Sequence, residues 1–350
     1  MVRASTQVRP RRRAAAPMPQ HINPMLAVLS TLPPDPKPYS FEFKWDGVRA
    51  ITYFDGRRLS MESRNLLDIT PRYPELHPLA ESLRGRRAIL DGEVVALDEK
   101  DRPSFPLLQQ RMHVRDSGAV QRLMKQVPVY YIIFDVLYLD DQITMPLPFK
   151  RRRAMLEGLK LSGPSWRTSP AVEGDGKSLY ETAAAHAMEG IVAKKLDSPY
   201  EPGRRSPNWL KIKIVQSQEL VVGGWCPEKG NNPERIGCLL LGYYEQKKLR
   251  YAGKVGTGFT NETHRQFVDL LKKLQRPTSP FADKVPNSNA IFVEPKLVVE
   301  VDYRRWPNGG LIQQASYKGL RTDKKASQVI KEERVPATEV AKAPEARQSR

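Results

Sequence analysis

Residues 41–49 read FEFKWDGVR, and this stretch is the best single guide to the fold and the chemistry of the chain. A short apolar run leads into Lys44 and Asp46, which lie two residues apart. Residues at that spacing on an extended strand point to the same face, so we expect the amine and the carboxylate to share one pocket. Gly47 permits a tight bend, and Arg49 adds a fixed cation nearby. Taken alone, the pattern also fits a charged surface hairpin, and the rest of the chain has to decide.

The composition indicates a globular protein that binds a polyanion. The chain has 350 residues, of which 40% are hydrophobic, and this is enough for two domains. Lys and Arg number 57 against 39 Asp and Glu, and the formal net charge of +18 is typical of nucleic-acid binding. No apolar run is long enough to span a membrane, and two cysteines exclude a disulfide framework or a four-cysteine zinc module. We therefore expect a soluble, cytoplasmic protein without a membrane partner.

Both ends of the chain have the composition of disordered segments. The first 16 residues contain five arginines and no acidic residue. They predict a disordered basic arm over residues 1–20 that can touch a phosphate backbone, and an organelle-targeting peptide has the same composition. Residues 327–350 mix Lys, Glu, Arg, Ala and Pro without periodicity and are predicted to be a disordered tail.

The first domain is predicted over residues 21–216. Its first part has short strand-like runs separated by turn signals at residues 55–56 and 91–92. This pattern is typical of antiparallel sheets with helices between the strands, and the predicted fold class is therefore α+β.

Two later runs in this domain carry clear strand patterns. Residues 129–139, VYYIIFDVLYL, predict a central strand that is buried on both faces. A helix is predicted to begin within the basic residues 150–153. Residues 209–214, WLKIKI, alternate strictly, so that one face is apolar and the other carries an indole and two ammonium groups.

After Gln216 the pattern changes to short strands with a single clear helix. Strand-like runs occur at residues 220–222, 237–244, 249–254 and 297–303. The helix follows the capping candidates Thr260 and Asn261 and has Phe267, Leu270, Leu271 and Leu274 at helical spacing. These elements predict a small five-stranded barrel of the OB type over residues 217–326.

Several motifs follow Lys44 along the chain. They are SRN at residues 63–65, LDGEVV at 90–95, FDVLYL at 134–139, EGIVAK at 189–194, WLKIK at 209–213 and RTDK at 321–324. In this order the set resembles the covalent nucleotidyltransferase superfamily, and the sequence is similar to bacterial ATP-dependent DNA ligases. More narrowly, the chain resembles the ligase module of the end-joining enzyme ligase D and the stand-alone relatives of that module. The resemblance runs from about residue 25 to residue 324.

The resemblance implies a nucleotidyltransferase (adenylation) domain, then an OB-fold domain, and an enzyme that seals nicked or broken double-stranded DNA. Lys44 would attack the α-phosphate of ATP and hold AMP covalently. The AMP would then pass to a DNA 5′-phosphate, and the adjacent 3′-hydroxyl would displace it there. The resemblance also implies that Mg²⁺ or Mn²⁺ is bound by Asp46, Glu93 and Glu189, with Glu93 also near the nucleotide. The base would be contacted by Glu42 at the adenine amino group and by the stacked ring of Phe134, and phosphate or ribose by Arg49 and Arg64. The α-phosphate would be surrounded by Lys194, Lys211 and Lys213, and the pyrophosphate would be contacted by Arg321 and Lys324 once the second domain closes.

These residue types suit the chemistry. A lysine that attacks phosphorus must be neutral although its reference pKa is roughly 10.4, so the site has to disfavour the charged form. Neighbouring cations such as Lys211 and Lys213 would do this. The phosphates need a divalent ion, and carboxylates are ligands that magnesium prefers.

The same residues allow structural interpretations. Phe134 also fits plain core packing, Glu93 an ordinary hairpin position and Glu189 the end of a helix. Lys211 and Lys213 also fit the solvated face of an edge strand.

One further segment, residues 171–178, reads AVEGDGKS and nearly matches a phosphate-binding P-loop. The residues before it are loop-like rather than a buried strand, and its two acidic residues would repel phosphate. We predict a turn that leads into a helix.

Other functions remain in competition. An RNA ligase or a GTP-dependent capping enzyme would share the lysine and the barrel, and a non-catalytic basic DNA-binding module would share the fold. A NAD-dependent ligase is disfavoured because the zinc cysteines that the resemblance would demand are absent. We expect a monomer in the bacterial cytosol, associated with the nucleoid. The sequence shows no polymerase or phosphoesterase module like those of ligase D, so nick repair and end joining with the Ku end-binding protein both stay open.

Overall fold

The computed structural model describes residues 16–112, 114, 116–228, 235–286, 289–307 and 309–340. Residues 1–15 of the predicted basic arm and residues 341–350 of the predicted tail lie outside the described residues. The prediction of a disordered arm is wrong for residues 16–20, which pack on the first domain. The backbone N–H of Ala16 donates to the Asp141 carbonyl at 3.0 Å, and the Ala16 carbonyl accepts from the Tyr138 hydroxyl at 3.0 Å.

The first domain contains two sheets. Its strands are β1 (Leu26–Leu29), β2 (Tyr39–Phe43), β3 (Val48–Phe54), β4 (Leu59–Ser63), β5 (Ala88–Ala96), β6 (Val129–Leu139), β7 (Gln142–Ile143), β8 (Trp166–Thr168), β9 (Ala171–Glu173), β10 (Gly190–Lys195) and β11 (Arg205–Lys213). One sheet has the order β1-β11-β10-β2-β9, and the other has the order β4-β3-β5-β6-β7, with β8 parallel to β6. Strand β6 is buried along almost its whole length, as its sequence predicts.

Helices lie between these strands. They are α1 (Leu79–Ser82), α2 (Phe105–Met112), α3 (Ser117–Gln126), α4 (Phe149–Gly158) and α5 (Gly176–Ala185), with α6 (Asn261–Lys273) and α7 (Ala337–Val340) further along. Short 3₁₀ turns occur at Thr70–Arg72, Pro74–Leu76 and Ala326–Gln328. Helix α4 begins next to the basic run that predicts it. None of the helices within the described ranges is long and apolar enough to cross a bilayer.

The second domain is built on β12 (Ser217–Pro227), β13 (Ile236–Glu245), β14 (Lys248–Val255), β15 (Ile291–Phe292), β16 (Val298–Asp302) and β17 (Ser316–Leu320). Five of these strands follow the path β14-β13-β12-β16-β17, and the two-residue β15 pairs with β12. The outer strands approach each other, since the Tyr317 N–H donates to the Thr257 carbonyl at 2.9 Å. Helix α6 starts at its predicted cap, where the Thr260 side chain accepts from the Thr263 N–H at 3.1 Å. Its apolar face packs into the core of this domain.

The predicted turn at residues 91–92 is wrong. Strand β5 runs straight through Asp91 and Gly92, and only its register against β6 shifts there. A Cβ atom at Gly92 would lie 2.5 Å from the Tyr131 ring, so the glycine serves close packing rather than a bend.

The segment that resembles a P-loop is a turn into a helix, as predicted. It comprises β9, a left-handed Gly174 with φ of 71°, and the start of α5. The Asp175 carboxylate accepts from the Ser178 N–H at 3.1 Å and so caps the helix end that a phosphate would need.

The prediction of a disordered tail is wrong for residues 329–340, which we call the C-terminal strap. Val329 is buried in the second domain, and its carbonyl accepts from the Tyr244 N–H at 2.7 Å. The strap then crosses to the first domain, where the Val335 N–H donates to the Leu29 carbonyl at 3.1 Å. Val340 is buried in the core cluster behind β2. Sparse apolar residues therefore secure the strap to both domains, although they have no local periodicity.

Candidate functional site

A single pocket lies between the two sheets of the first domain and is covered by the second domain. It is lined by every candidate site residue: Glu42, Lys44, Asp46, Arg49, Arg64, Glu93, Phe134, Glu189, Lys194, Lys211, Lys213, Arg321 and Lys324. The fold thus brings together residues that lie up to 282 positions apart in the sequence. The lining contains almost equal numbers of acidic and basic side chains.

Lys44 lies just after the end of β2, where the start of the neighbouring strand β10 holds its backbone. Its N–H donates to the Gly190 carbonyl at 2.9 Å. Asp46 follows in a loop, and the same-strand prediction for this pair is therefore wrong, although both side chains reach the pocket. Gly47, just before β3, has to be a glycine because a Cβ atom there would lie 2.1 Å from the Val94 carbonyl oxygen.

Glu189 is the immediate partner of Lys44. The Lys44 amine donates a hydrogen bond to one Glu189 oxygen, and the Lys213 Nζ lies 3.2 Å from the other. Burial opposes ionisation of Glu189, yet the two lysines outweigh it and hold the pKa of this carboxyl well below its usual range. The same pairing raises the pKa of Lys213 against the effect of burial. This group is therefore an ion triad with the candidate nucleophile at its edge.

Glu42 and Lys194 form a second buried pair deeper in the pocket. The Lys194 Nζ donates to Glu42 Oε1 at 2.9 Å, and an Arg153 nitrogen lies 3.7 Å from the same oxygen. Burial raises the pKa of Glu42, and burial lowers the pKa of Lys194. The Lys194 amine also lies 4.3 Å from the centre of the Phe134 ring. The predicted base-stacking residue is thus next to a fixed cation.

Arg49 is locked in place from the second sheet. Its Nε and Nη2 donate to the two oxygens of Asp91 at 2.5 and 2.6 Å. Asp91 is fully buried and also accepts from the Tyr200 hydroxyl at 2.7 Å. The Arg49 guanidinium lies 4.6 Å from the Phe134 ring centre and 5.7 Å from the Trp209 ring. Arg49 is therefore a fixed part of the pocket wall.

Two carboxyl groups of the pocket are held partly protonated near neutral pH. Burial raises the pKa of Glu93 to about 7, although Arg49 and Lys44 pull it down. Burial, together with the nearby Glu300, raises the pKa of Asp46 to about 6. Shifted pKa values of this kind are common among the ionisable side chains of functional sites.

Arg321 and Lys324 reach the pocket from the second domain. Arg321 donates to Asp323 at 2.9 and 2.8 Å and to Glu300 at 2.8 Å, and it contacts the Gly47 carbonyl at 3.4 Å. Lys324 lies 2.7 Å from Glu219. The structure is therefore a closed form, in which the two residues predicted to contact pyrophosphate face the first-domain side of the pocket.

Arg64 lines the same end of the pocket, and burial lowers its pKa. The neighbouring Asn65 side chain donates to the Asp323 carbonyl. The SRN motif thus lies at the contact between the two domains.

The strap contributes an acid that the sequence reasoning missed. Glu332 accepts two hydrogen bonds from the Lys211 amine, at 2.7 and 2.6 Å, and lies 3.1 Å from Arg205. Burial and the nearby Lys213 lower the pKa of Lys211 to about 7, against the pull of Glu332. Glu332 itself remains ionised, since Lys211 and Arg205 overcome its burial and hold its pKa at about 2. The Glu332 carboxylate is therefore bound to the amine of Lys211, which was predicted to bind phosphate.

The predicted metal ligands Asp46, Glu93 and Glu189 supply the hard oxygen donors that Mg²⁺ or Mn²⁺ requires. Within the described ranges, however, no three acidic, histidine or cysteine side chains converge as a ready metal site. This arrangement fits an ion held by one or two carboxylates together with substrate phosphates, which is how magnesium is usually bound in nucleotide sites.

The sequence reasoning also missed residues that line the pocket or lie directly behind its lining. They are Asp91 and Tyr200 behind Arg49, and Glu219, Glu300, Lys318 and Asp323 in the second domain. The available signal for Glu300 and Lys318 was a charged residue within a short apolar strand, because such a residue needs a partner when the strand is buried.

A half-buried lysine in a pocket between two sheets and beneath a small β-domain is the arrangement of a covalent nucleotidyltransferase. Comparisons with known proteins agree. The ATP dependent DNA ligase domain matches residues 23–213, and the ATP dependent DNA ligase C terminal region matches residues 232–324. The chain therefore belongs to the ATP-dependent DNA ligase family. The predicted fold class, an α+β adenylation domain followed by an OB-fold domain, is confirmed.

Individual relatives give the same result. The multifunctional non-homologous end joining protein LigD of Mycolicibacterium smegmatis is 37% identical over 316 residues, which cover 89% of this chain and 40% of that protein. The DNA ligase of Thermococcus onnurineus is 32% identical, with coverage of 85% and 54%. The solved structure of mycobacterial DNA ligase D complexed with ATP and MES has a TM-score of 0.65 at 35% identity, and 89% of this chain and 98% of that chain are covered. The chain spans about two fifths of the length of the LigD relative.

Proposed function

We propose that this chain is an ATP-dependent DNA ligase that seals nicks in duplex DNA through AMP held on Lys44. The observation that supports this most directly is the convergence of Lys44, Lys211 and Lys213 with Arg321 and Lys324 in one closed pocket. Phosphoryl transfer needs a positioned nucleophile and cations around the phosphates, and this pocket supplies both.

In the first transfer the Lys44 ammonium loses a proton to solvent, and its neutral nitrogen attacks the α-phosphorus of ATP and releases a second proton as the phosphoramide forms. The nitrogen–phosphorus bond forms as the bond to the pyrophosphate oxygen breaks, and pyrophosphate leaves. Lys211 and Lys213 stabilise charge on the α-phosphate, and Arg321 and Lys324 receive the pyrophosphate. Departure of pyrophosphate would remove the anion that these second-domain cations share with the first domain, and this favours opening.

The base pocket favours adenine. Glu42 offers a buried carboxylate acceptor that suits the adenine amino group, and Phe134 offers a ring to the base. Guanine presents a carbonyl oxygen at the same position, which a carboxylate repels. This geometry favours ATP over the GTP of a capping enzyme. Arg64 lies where it could contact ribose or phosphate.

In the first transfer a divalent ion would be held by Glu93 and Glu189 together with phosphate oxygens, and it would neutralise negative charge on the phosphates and on the leaving pyrophosphate. Asp46 is paired with Lys318 in the closed form and would bind a metal once the second domain opens. Glu189 has to be drawn away from Lys44 before the amine can attack, because the two groups are hydrogen-bonded in the closed form.

In the second transfer AMP passes from Lys44 to the 5′-phosphate of a nick, and in the third the 3′-hydroxyl attacks that phosphate and AMP leaves. The formal net charge of +18 suits a duplex DNA substrate. The LigD relatives are named as end-joining proteins, so we propose broken ends as a second substrate, with Ku as the candidate partner. We expect the chain to act as a monomer.

Covalent labelling tests this proposal. The protein, freed of bound AMP, is incubated with α-labelled ATP or GTP and Mg²⁺ or Mn²⁺, then denatured. Label from ATP is expected on the wild type and on Lys37→Ala, an exposed lysine nearby, but not on Lys44→Ala. Label from GTP would favour the capping alternative, and an unlabelled wild type would support a non-catalytic DNA-binding module.

Nick substrates then define the nucleic acid. A labelled duplex with DNA on both sides of the nick should be sealed, and RNA on either side reports tolerance for RNA. Joining of blunt or cohesive ends, with and without Ku, separates end joining from nick repair. Binding should weaken steeply with added salt if phosphate contacts dominate.

A further inference from the structure

Lys318 takes part in the contact between the two domains. It projects from β17, and its amine lies 2.8 Å from Asp46 of the first domain and 3.3 Å from Glu300 of the second. Its side chain is only 15% exposed. Because its two carboxylate partners belong to different domains, this lysine has both partners only when the domains are closed.

The surrounding charges explain why a cation is needed here. Asp46 faces Glu300, and Glu189 adds a third negative group close by. Glu300 is partly satisfied by Arg321, which lies 2.8 Å away. Without Lys318, closure would bring Asp46 against an acidic strand of the second domain in a buried setting. Like charges in such a setting disfavour contact.

Arg321 cannot replace Lys318 in this position. Its guanidinium is held by Asp323 and Glu300, both in the second domain, and it reaches the first domain through the Gly47 carbonyl. The ion pair between Lys318 and Asp46 therefore links a cation of the second domain to a carboxylate of the first domain, close to Lys44 in the sequence.

We propose that Lys318 is a positioning residue that couples domain closure to the first transfer. Its ammonium arrives with the second domain, neutralises Asp46 and so permits the closed form in which Lys44 meets ATP. When the domain opens to admit DNA, Lys318 leaves and Asp46 becomes available to other cations. This inference rests on the proposed ligase reaction. It predicts that Lys318 is needed for the first transfer and not for the third.

Two rates test the assignment in the full-length protein. The first is single-turnover formation of the lysyl-AMP bond from α-labelled ATP, and the second is sealing of a duplex whose nick already carries 5′-AMP. Lys318→Met keeps the apolar stem, and we expect it to slow the first reaction by at least about tenfold, since it leaves a buried carboxylate unpaired. The sealing rate should stay within about twofold, because that step does not use the closed contact.

Two further variants sharpen the comparison. Lys318→Arg keeps the charge and should recover much of the first rate, whereas Lys248→Ala, an exposed lysine on β14, should change neither rate. An equal loss in both reactions, or an unchanged first rate in Lys318→Met, would overturn the proposal.

A structural readout separates this proposal from the ligase proposal. Small-angle scattering of the nucleotide-free protein should show a larger radius of gyration for Lys318→Met than for the wild type and Lys248→Ala. A wild type that takes no label on Lys44 would refute the ligase function, and the scattering comparison would still decide whether Lys318 holds the domains together. Equal radii would refute that role.

Discussion

Glu93 should make the protein less stable as the pH rises, and its neutral isostere should remove this effect. Burial raises its pKa from 4.5 to about 7. A carboxyl group whose pKa is raised in the folded state binds its proton more tightly there than in the unfolded chain. Its contribution to stability is therefore complete below pH 4.5 and is lost as the pH rises through about 7.

The magnitude follows from the shift. One pKa unit corresponds to about 1.4 kcal/mol, so a rise of this size corresponds to about 3 kcal/mol between acidic and mildly alkaline pH. Glu93→Gln keeps the shape of the side chain but cannot ionise. It should be more stable than the wild type at pH 8 by an amount of this order, and the difference should vanish near pH 4.5.

Urea unfolding of both proteins, followed by tryptophan fluorescence between pH 5 and 8.5, measures the difference. The same variant should lose ATP labelling, because a metal or nucleotide contact at this position needs the charge. The reasoning is refuted if Glu93→Gln is no more stable than the wild type at pH 8, or if the difference between them does not change with pH.

Two other predictions concern charged partners of the pocket. Glu332→Gln should leave Lys211 free for phosphate and lower the Kd for ATP by about threefold, measured by titration at fixed salt, whereas Glu333→Gln, an exposed neighbour, should not. A weaker Kd in Glu332→Gln would count against competition between the strap and the nucleotide. Asp91→Asn should destabilise the protein by about 3–5 kcal/mol, because it leaves Arg49 buried without a counter-charge. Thermal unfolding measures this loss, and an unchanged Tm would show that Arg49 finds another partner.

Local patterns were enough to predict local structure. The alternation in residues 209–214 gave the pocket face of β11, the apolar run gave β6, and Thr260 marked the start of α6. In each of these cases the decisive contacts lie within a few residues along the chain, so spacing alone carries the information. The proposed boundary near Gln216 stays a prediction.

Long-range packing decided the elements that sequence reasoning missed. Gly92 looks like a turn residue until the Tyr131 ring beside it is known, and Tyr131 is 39 positions away in the sequence. The strap looks disordered because its apolar residues are sparse, yet Val329 and Val340 enter separate preformed clusters. Neither outcome has a local signal, because the partner surface is built by other parts of the chain.

The candidate site shows the same division. Motif order brought the pocket residues together on paper, and the fold places all of them around one pocket. The partners that hold them in the closed form were not predicted. Glu300 and Glu332 belong to no motif, and Asp91 lies in one without an assigned role. The importance of all three comes from charges that lie at least 18 positions away in the sequence.

The closed pocket is electrically satisfied by the protein itself, and this shapes how a nucleotide can enter it. Most of the cations predicted to hold phosphate already have carboxylate partners: Lys44 and Lys213 have Glu189, Lys194 has Glu42, Lys211 has Glu332, Lys324 has Glu219, and Arg321 has Asp323. When ATP binds, its phosphates would therefore have to replace carboxylates as partners of these cations, because most of the cations are already paired. The exchange leaves carboxylates without partners in a buried site, where each uncompensated charge is costly. Divalent cations that arrive with the nucleotide would compensate these carboxylates. Opening of the second domain would hydrate others. The affinity for ATP should thus depend on metal and on domain position together, more than on the number of lysines in the pocket.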